Sequence, residues 1–145
     1  MTQKAKTLHG FTLIELLIAI AVVGILSAIA LPYYGDYVRR GKVQEATSGL
    51  ASMRVRMEQY FQDNRTYAGY VDASCAKGGV PQLAGKYFTY ACESDVGTYK
   101  ITATGVDAQG MNGYEYTIDQ DNAMTSTLPG AGAMSCWIDK KGDSC

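Results

Sequence analysis

GFTLIELLIAIAVVGILSAIALP, residues 10–32, is the stretch that decides how this 145-residue chain is organised. From Phe11 to Leu31 the residues are apolar or small, with three exceptions: Thr12, Glu15 and Ser27. A helix of that length spans roughly 32 Å, which is the thickness of the hydrocarbon core of a bilayer. The stretch therefore predicts a helix able to cross a membrane.

The ten residues before Phe11 form a short basic segment that contains Lys4 and Lys6. Positive residues ahead of an apolar run hold that end in the cytoplasm. The run is too long for an ordinary secretory signal, and no small-x-small cleavage motif follows it. We expect a single spanning helix with its N-terminus in the cytoplasm.

Glu15 is the anomaly of this segment. A carboxylate at the bilayer centre costs about 2.5–3.5 kcal/mol on insertion scales, so an acid there is by default a functional residue. One explanation is that Glu15 lies near the interface and stays hydrated. If the chain is cut after Gly10, however, the new ammonium of Phe11 can pair with Glu15 in the same chain or in a neighbouring subunit. Such a pair sets the register between apolar helices and makes Glu15 an assembly residue.

After Pro32 the pattern becomes amphipathic and continues the helix to about Gln62. Apolar residues recur at intervals of three and four, typical of one buried helix face: Val43, Ala46, Leu50, Met53, Met57 and Tyr60. Asp63-Asn64-Arg65 ends the predicted helix. We interpret the methionines as core residues.

The remainder of the chain carries strand signals. Residues 68–85 are predicted to form a loop, and three tyrosine-rich runs follow at 87–91, 99–104 and 114–118. In the last two, apolar and polar residues alternate, which is typical of a half-buried antiparallel sheet. A helix followed by such a meander predicts an α+β fold with the helix packed on a small sheet.

The four cysteines indicate two disulfides in an exported domain. Four cysteines allow three pairings. We expect neighbours in sequence to pair, Cys75 with Cys92 and Cys136 with Cys145, because each pair closes a short loop around turn residues. Each loop is worth roughly 2–3 kcal/mol in the chain-entropy model.

Residues Gly10 to Glu15 resemble the class III prepilin signal of the type IV pilins. The resemblance implies cleavage after Gly10 by a prepilin peptidase, N-methylation of Phe11, and neutralisation of an adjacent subunit's N-terminus by Glu15. It also implies the pilin fold. The expected divisions are a cleaved leader (1–10), a transmembrane or filament-core helix (11–31), an amphipathic helix half (32–62) and a β-sheet head (63–145).

Two further features follow from the same resemblance. Gly24 and Pro32 are weak points in a helix, and the resemblance implies that this segment loses helical form when a filament stretches. The Cys136–Cys145 segment is similar to the disulfide-closed C-terminal loop of many pilins. The additional Cys75–Cys92 pair is more similar to certain minor pilins than to the main filament subunits.

Catalytic and cofactor motifs are absent from the sequence. His9 is the single histidine and leaves with the leader, so the mature chain has no catalytic imidazole or histidine metal ligand. No phosphate-binding loop or dinucleotide motif occurs. The acidic run 119–122 could offer oxygen ligands to calcium, but a hairpin turn is the better interpretation. We therefore expect no enzyme activity, no cofactor and no metal.

Charge suggests one further partner. Arg39, Arg40 and Lys42 form a basic cluster, and phosphate attraction requires no more than that. Filament packing or lipid headgroups are the alternative use of this cluster. From Thr66 onward the chain has five lysines against nine acidic residues, so DNA is the weaker interpretation.

Function follows from the resemblance to type IV pilins. It implies a subunit that is held as a precursor in the inner membrane of a Gram-negative-type bacterium and then polymerises on an assembly platform. The product is an extracellular pilus used in adhesion, twitching motility or DNA uptake, as a homopolymer or a copolymer with other pilins. Two alternatives stay open: a minor pilin that binds a ligand or primes assembly, and a pseudopilin of type II secretion.

Overall fold

The computed structural model describes residues 11–70 and 83–145 and has the α+β architecture that the sequence predicts. One helix is followed by an antiparallel meander in the order β1-β2-β3-β4-β5. The elements are helix α1 (Leu13–Asn64), β1 (Leu83–Ala84), β2 (Phe88–Ser94), β3 (Tyr99–Gly105), a 3₁₀ turn (Asp107–Gln109), β4 (Glu115–Asp119) and β5 (Met124–Thr127). The predictions made for Gly10 and Cys75 lie outside the described residues.

The chain divides into two units between Tyr37 and Val38, and α1 runs through the division. In the first unit the apolar side chains from Phe11 to Ile29 are exposed. By length and composition, α1 contains a segment able to cross a membrane. The helix is continuous through Gly24 and Pro32. Its local loss in a stretched filament therefore stays a prediction.

In the second unit the amphipathic stripe of α1 forms one side of the core. Val43, Ala46 and Leu50 are buried. Met53 and Met57 are buried with them, which confirms the methionines as core residues, whereas Tyr60 is partly exposed. The helix ends at Asn64, two residues beyond the predicted end. Arg65 then takes a left-handed conformation with φ 59° and donates its N–H to the carbonyl of Phe61 at 2.8 Å.

The sheet supplies the other side of the core. In β3 the alternation is as predicted, since Tyr99, Ile101 and Ala103 are buried and Lys100 is exposed. Strands β1 and β5 were not predicted. β1 is only two residues long and falls inside the predicted loop, and the sequence of β5, Met-Thr-Ser-Thr, lacks aromatic or branched aliphatic residues. Short polar strands are formed by pairing with a neighbour and have little local signal.

Strand β4 departs from the predicted alternation. Thr117 was expected to face solvent, but it is buried together with Tyr116 and Ile118 on either side. The hydroxyls of Thr117 and Thr125 are 2.6 Å apart, and the indole N–H of Trp137 donates to the Thr117 carbonyl. These bonds join Thr117 to β5 and to the C-terminal segment, which are contacts that strand periodicity alone could not reveal.

Two helical glycines provide a matched pair for testing this packing. A Cβ on Gly49 would lie 2.5 Å and 2.6 Å from ring carbons of Tyr90, whereas a Cβ on Gly41 would meet nothing within 4 Å. We expect Gly49→Ala to destabilise the fold by about 1–3 kcal/mol through overpacking. Gly41→Ala should stabilise it by up to about 1 kcal/mol because alanine is the better helix former. Thermal unfolding followed by circular dichroism measures both, and equal shifts in the same direction would contradict the prediction.

Candidate functional site

The start of α1 places the predicted assembly residue in the first helical turn. Thr12 precedes the helix, and its hydroxyl oxygen accepts the backbone N–H of Glu15 at 3.3 Å. This is the hydrogen bond of a helix N-cap. A negative side chain in the first turn is also favourable toward the helix dipole. The charge of Glu15 can therefore act on its own helix, and this role needs a test separate from that of the predicted pairing between subunits.

In the second unit, two lysines flank one tyrosine ring. The ammonium of Lys42 lies 5.2 Å from the centre of the Tyr87 ring, and that of Lys86 lies 5.0 Å from it. Lys42 also donates to the carbonyl of Gln109 at 2.7 Å. The two distances from an ammonium group to the centre of the Tyr87 ring are within the range of cation–π attraction. We call Lys42, Lys86 and Tyr87 the lysine–tyrosine cluster.

Glu45, one helical turn after Lys42, holds the strand start that carries this cluster. Its carboxylate accepts the backbone N–H groups of Lys86 (3.2 Å), Tyr87 (2.8 Å) and Phe88 (3.0 Å). Gly85 allows the approach, since a Cβ there would collide with the same carboxylate. Three converging N–H groups form an anion-binding concavity, and here the occupant is the chain's own side chain.

The predicted basic cluster is divided between two neighbourhoods. Lys42 joins the lysine–tyrosine cluster, whereas the Arg40 guanidinium lies 3.9 Å from the carboxylate of Asp139 near the C-terminus. Both partners of that ion pair are nearly half exposed, so it adds little stability. Arg39 is exposed. Only Lys42 of the predicted three therefore belongs to the cluster.

Sequence reasoning missed Glu45, Lys86 and Tyr87. Glu45 lies off the buried stripe of α1, and the helix period says nothing about which loop comes near it. A usable signal did exist, because Lys42 and Glu45 are three residues apart and so share one helix face. Finding Lys86 and Tyr87 beside that face required the three-dimensional path of the chain.

A second polar cluster joins α1 to the sheet farther along. The carboxylate of Glu58 accepts the hydroxyls of Tyr67 (3.2 Å) and Tyr99 (3.1 Å). Burial, reinforced by this carboxylate, raises the pKa of both tyrosines. The side-chain nitrogen Nε of Arg54 is buried there and has no hydrogen-bond partner among the residues that the structure describes. We interpret this cluster as a structural joint between helix and sheet.

Tyr90 makes a similar joint closer to the lysine–tyrosine cluster. Its hydroxyl donates to the backbone carbonyl of Glu45 at 2.7 Å. Burial, followed by the charge of Glu45, raises the pKa of Tyr90 to about 12. The Tyr90 hydroxyl therefore fixes the turn of α1 that carries Glu45.

The C-terminal segment is closed by the predicted Cys136–Cys145 disulfide, which the structure confirms. Inside the loop, Ile138 is buried. Its carbonyl accepts the Tyr116 hydroxyl at 2.9 Å, and its N–H donates to the hydroxyl of Ser126 at 3.3 Å. The first residues of the loop are thus anchored to β4 and β5.

Two other sequence predictions for the head concern the pairing of Cys75 with Cys92 and the acidic run 119–122. Cys92 is disulfide-bonded, but Cys75 lies outside the described residues, so that pairing stays a prediction. The acidic run 119–122 forms a hairpin turn between β4 and β5. The carboxylate of Asp119 accepts the N–H groups of Asp121 (3.0 Å) and Ala123 (2.8 Å), which is a local turn role.

Comparison with known families agrees with this architecture. Residues 32–113 match the family model described as "Type IV minor pilin ComP, DNA uptake sequence receptor". Residues 7–31 match the prokaryotic N-terminal methylation motif. The first match contains the whole lysine–tyrosine cluster, and the second contains Gly10, Phe11 and Glu15.

Curated relatives and a solved structure give the same assignment. The chain is 38% identical over 102 residues to the fimbrial protein EcpC of Eikenella corrodens, covering 70% of this chain and 65% of that protein. It is 45% identical over 78 residues to a fimbrial protein of Moraxella nonliquefaciens, covering 54% and 49%. For the type IV major fimbrial protein FimA of Dichelobacter nodosus the identity is 35% over 109 residues, covering 75% and 64%. The chain thus spans about half to two-thirds of the length of these relatives.

The non-core minor pilin PilV of Neisseria meningitidis has a similar fold, with a TM-score of 0.57 and 14% identity. The similarity covers 72% of this chain and 99% of that one. It shows that the long helix and the meander are a pilin fold. The chain belongs to the type IV pilins, in the family described by the minor pilin ComP model.

Proposed function

We propose that the chain is a structural subunit of a type IV pilus. The precursor sits in the inner membrane, a prepilin peptidase cuts it after Gly10, and Phe11 becomes the methylated N-terminus. The assembly platform then adds it to an extracellular filament with other pilins. The observation that carries this proposal is the run of exposed apolar side chains from Phe11 to Ile29, which gains most by packing against similar helices.

Mass spectrometry of filaments sheared from the native cell surface tests this proposal. We expect peptides that begin at methylated Phe11. If they dominate the filament, the chain is the main subunit, and if they accompany another pilin in small amounts, it is a minor one. Absence of the chain from filaments, together with dependence of an exported enzyme on it, would favour the pseudopilin alternative.

We further propose that the chain is a minor pilin that binds duplex DNA during uptake. The match to the ComP family model supports this role, and the lysine–tyrosine cluster lies within the matched residues. Because ammonium groups lie against the Tyr87 ring, the cluster offers cations to phosphates rather than a free ring to bases. Phosphate contacts of this kind supply affinity and position, whereas base contacts supply sequence preference.

DNA binding can be tested with the full mature chain in detergent and a labelled duplex at increasing salt. We expect Lys86→Ala to weaken binding severalfold and to reduce the salt slope by about 1. Lys42→Ala should act in the same direction. Lys100→Ala is the matched control, because it removes an exposed lysine from β3. Absence of salt-dependent binding, or equal losses in all three variants, would contradict a DNA role for this cluster.

A further inference from the structure

Glu45 is an acidic residue that lies beside a surface proposed to bind the phosphates of DNA. Its negative charge lies against the two residues, Lys86 and Tyr87, that would face DNA. By charge alone, a carboxylate at this place repels phosphate and weakens binding. The geometry indicates the opposite contribution.

The carboxylate is engaged by the backbone on its strand-facing side. One oxygen accepts the N–H groups of Tyr87 and Phe88, and the other accepts that of Lys86. Hydrogen bonds to an ionised acceptor are roughly twice as strong as neutral ones. Residues Gly85 to Phe88 form a turn, in which the Gly85 N–H donates to the Phe88 carbonyl at 2.8 Å. The Glu45 side chain therefore ties the backbone of the turn from Gly85 to Phe88 to α1.

We infer that Glu45 is a positioning residue for DNA binding, which ties the Gly85–Phe88 turn to α1 and so holds Lys86 and Tyr87 against Lys42. Glu45 itself does not touch DNA in this arrangement. The inference rests on the proposed DNA-binding function. Its mechanism is preorganisation, since two lysines held together lose less freedom on binding than two mobile ones.

For variants of Glu45, the positioning role and the loss of negative charge predict opposite changes in DNA affinity. Glu45→Gln and Glu45→Ala each remove one negative charge, so charge alone predicts tighter DNA binding by both. Positioning predicts weaker binding, by about threefold for Gln, which keeps one acceptor oxygen, and about tenfold for Ala, which keeps none. The measurement is the Kd of the full mature chain in detergent for a labelled duplex at fixed salt.

Two further variants separate position from charge. Gly85→Ala keeps the charge of Glu45 but places a Cβ against its carboxylate and 3.0 Å from the Phe88 carbonyl. We expect it to weaken binding as Glu45→Ala does. Glu115→Gln removes an exposed acid from β4, and we expect it to leave the Kd unchanged or slightly lower.

Hydrogen exchange gives a readout that does not depend on DNA. In Glu45→Gln and Glu45→Ala, the amides of Lys86, Tyr87 and Phe88 should exchange faster, while the amides of β3 keep their protection. Unchanged exchange at these three amides, or tighter DNA binding by both Glu45 variants, would overturn the positioning role. If the wild type does not bind DNA in a salt-dependent way, the DNA proposal fails instead, and the exchange result still decides whether Glu45 ties the turn.

Discussion

Glu15→Ala is expected to reduce the yield of sheared filaments by at least about tenfold, because breaking a charge pair in a low-dielectric interface costs several kcal/mol. Membrane insertion and cleavage should stay near normal, since removing a carboxylate makes insertion easier. Immunoblots of membrane and sheared fractions measure both quantities. Filament yield equal to wild type would contradict the register role.

The helix cap allows the two roles of Glu15 to be separated. Glu15→Gln keeps a side chain able to reach the helix start but loses the charge, so it should assemble as poorly as Glu15→Ala. Thr12→Ala removes the hydroxyl that accepts the Glu15 N–H and leaves the charge, so it should assemble nearly as wild type. If Gln restored assembly and Thr12→Ala impaired it, assembly would depend on the helix cap made by Thr12 and not on the charge of Glu15.

The features that could be predicted from the sequence are those with a local period. The stripe from Val43 to Met57 and the alternation of β3 each repeat within a few residues, and both are buried as expected. The α+β class followed from these periods alone. The N-terminal motif was identified by resemblance, because no period explains an acid in an apolar run.

The features that could not be predicted depend on contacts between distant segments. Glu45 and Tyr87 are 42 residues apart in sequence. No local sequence pattern predicts that a carboxylate on the helix will accept backbone N–H groups at the start of a strand. The same holds for Thr117, whose carbonyl accepts the indole N–H of Trp137, 20 residues away in sequence. The helix period assigns no partner to polar residues off the buried stripe, so it could not reveal that Glu45 contacts the turn that carries Lys86 and Tyr87.

Tyr116→Ala is expected to be the most destabilising single change in the head. The Tyr116 side chain is fully buried, its ring lies 5.8 Å from that of Phe88, and its hydroxyl donates to the Ile138 carbonyl. Losing the ring should cost about 3–5 kcal/mol, and the unpaired carbonyl about 1–3 kcal/mol more. Because a domain has about 5–15 kcal/mol of total stability, this loss should lower the midpoint temperature of unfolding by about 15 °C or more.

Tyr116→Phe separates the hydrogen bond from the packing. It keeps the ring and should cost only about 1 kcal/mol, while Val96→Ala at an exposed hairpin tip should stay within about 0.5 kcal/mol of wild type. Unfolding can be followed by the fluorescence of Trp137, the single tryptophan of the chain. Because the Tyr116 hydroxyl anchors Ile138 inside the disulfide loop, both Tyr116 variants lose this anchor, and in both the Cys136–Cys145 bond should be faster to reduce than in the wild type. Equal unfolding midpoints for the Ala and Phe variants would contradict a packing role for the ring, and an unchanged reduction rate would show that the loop is held without Tyr116.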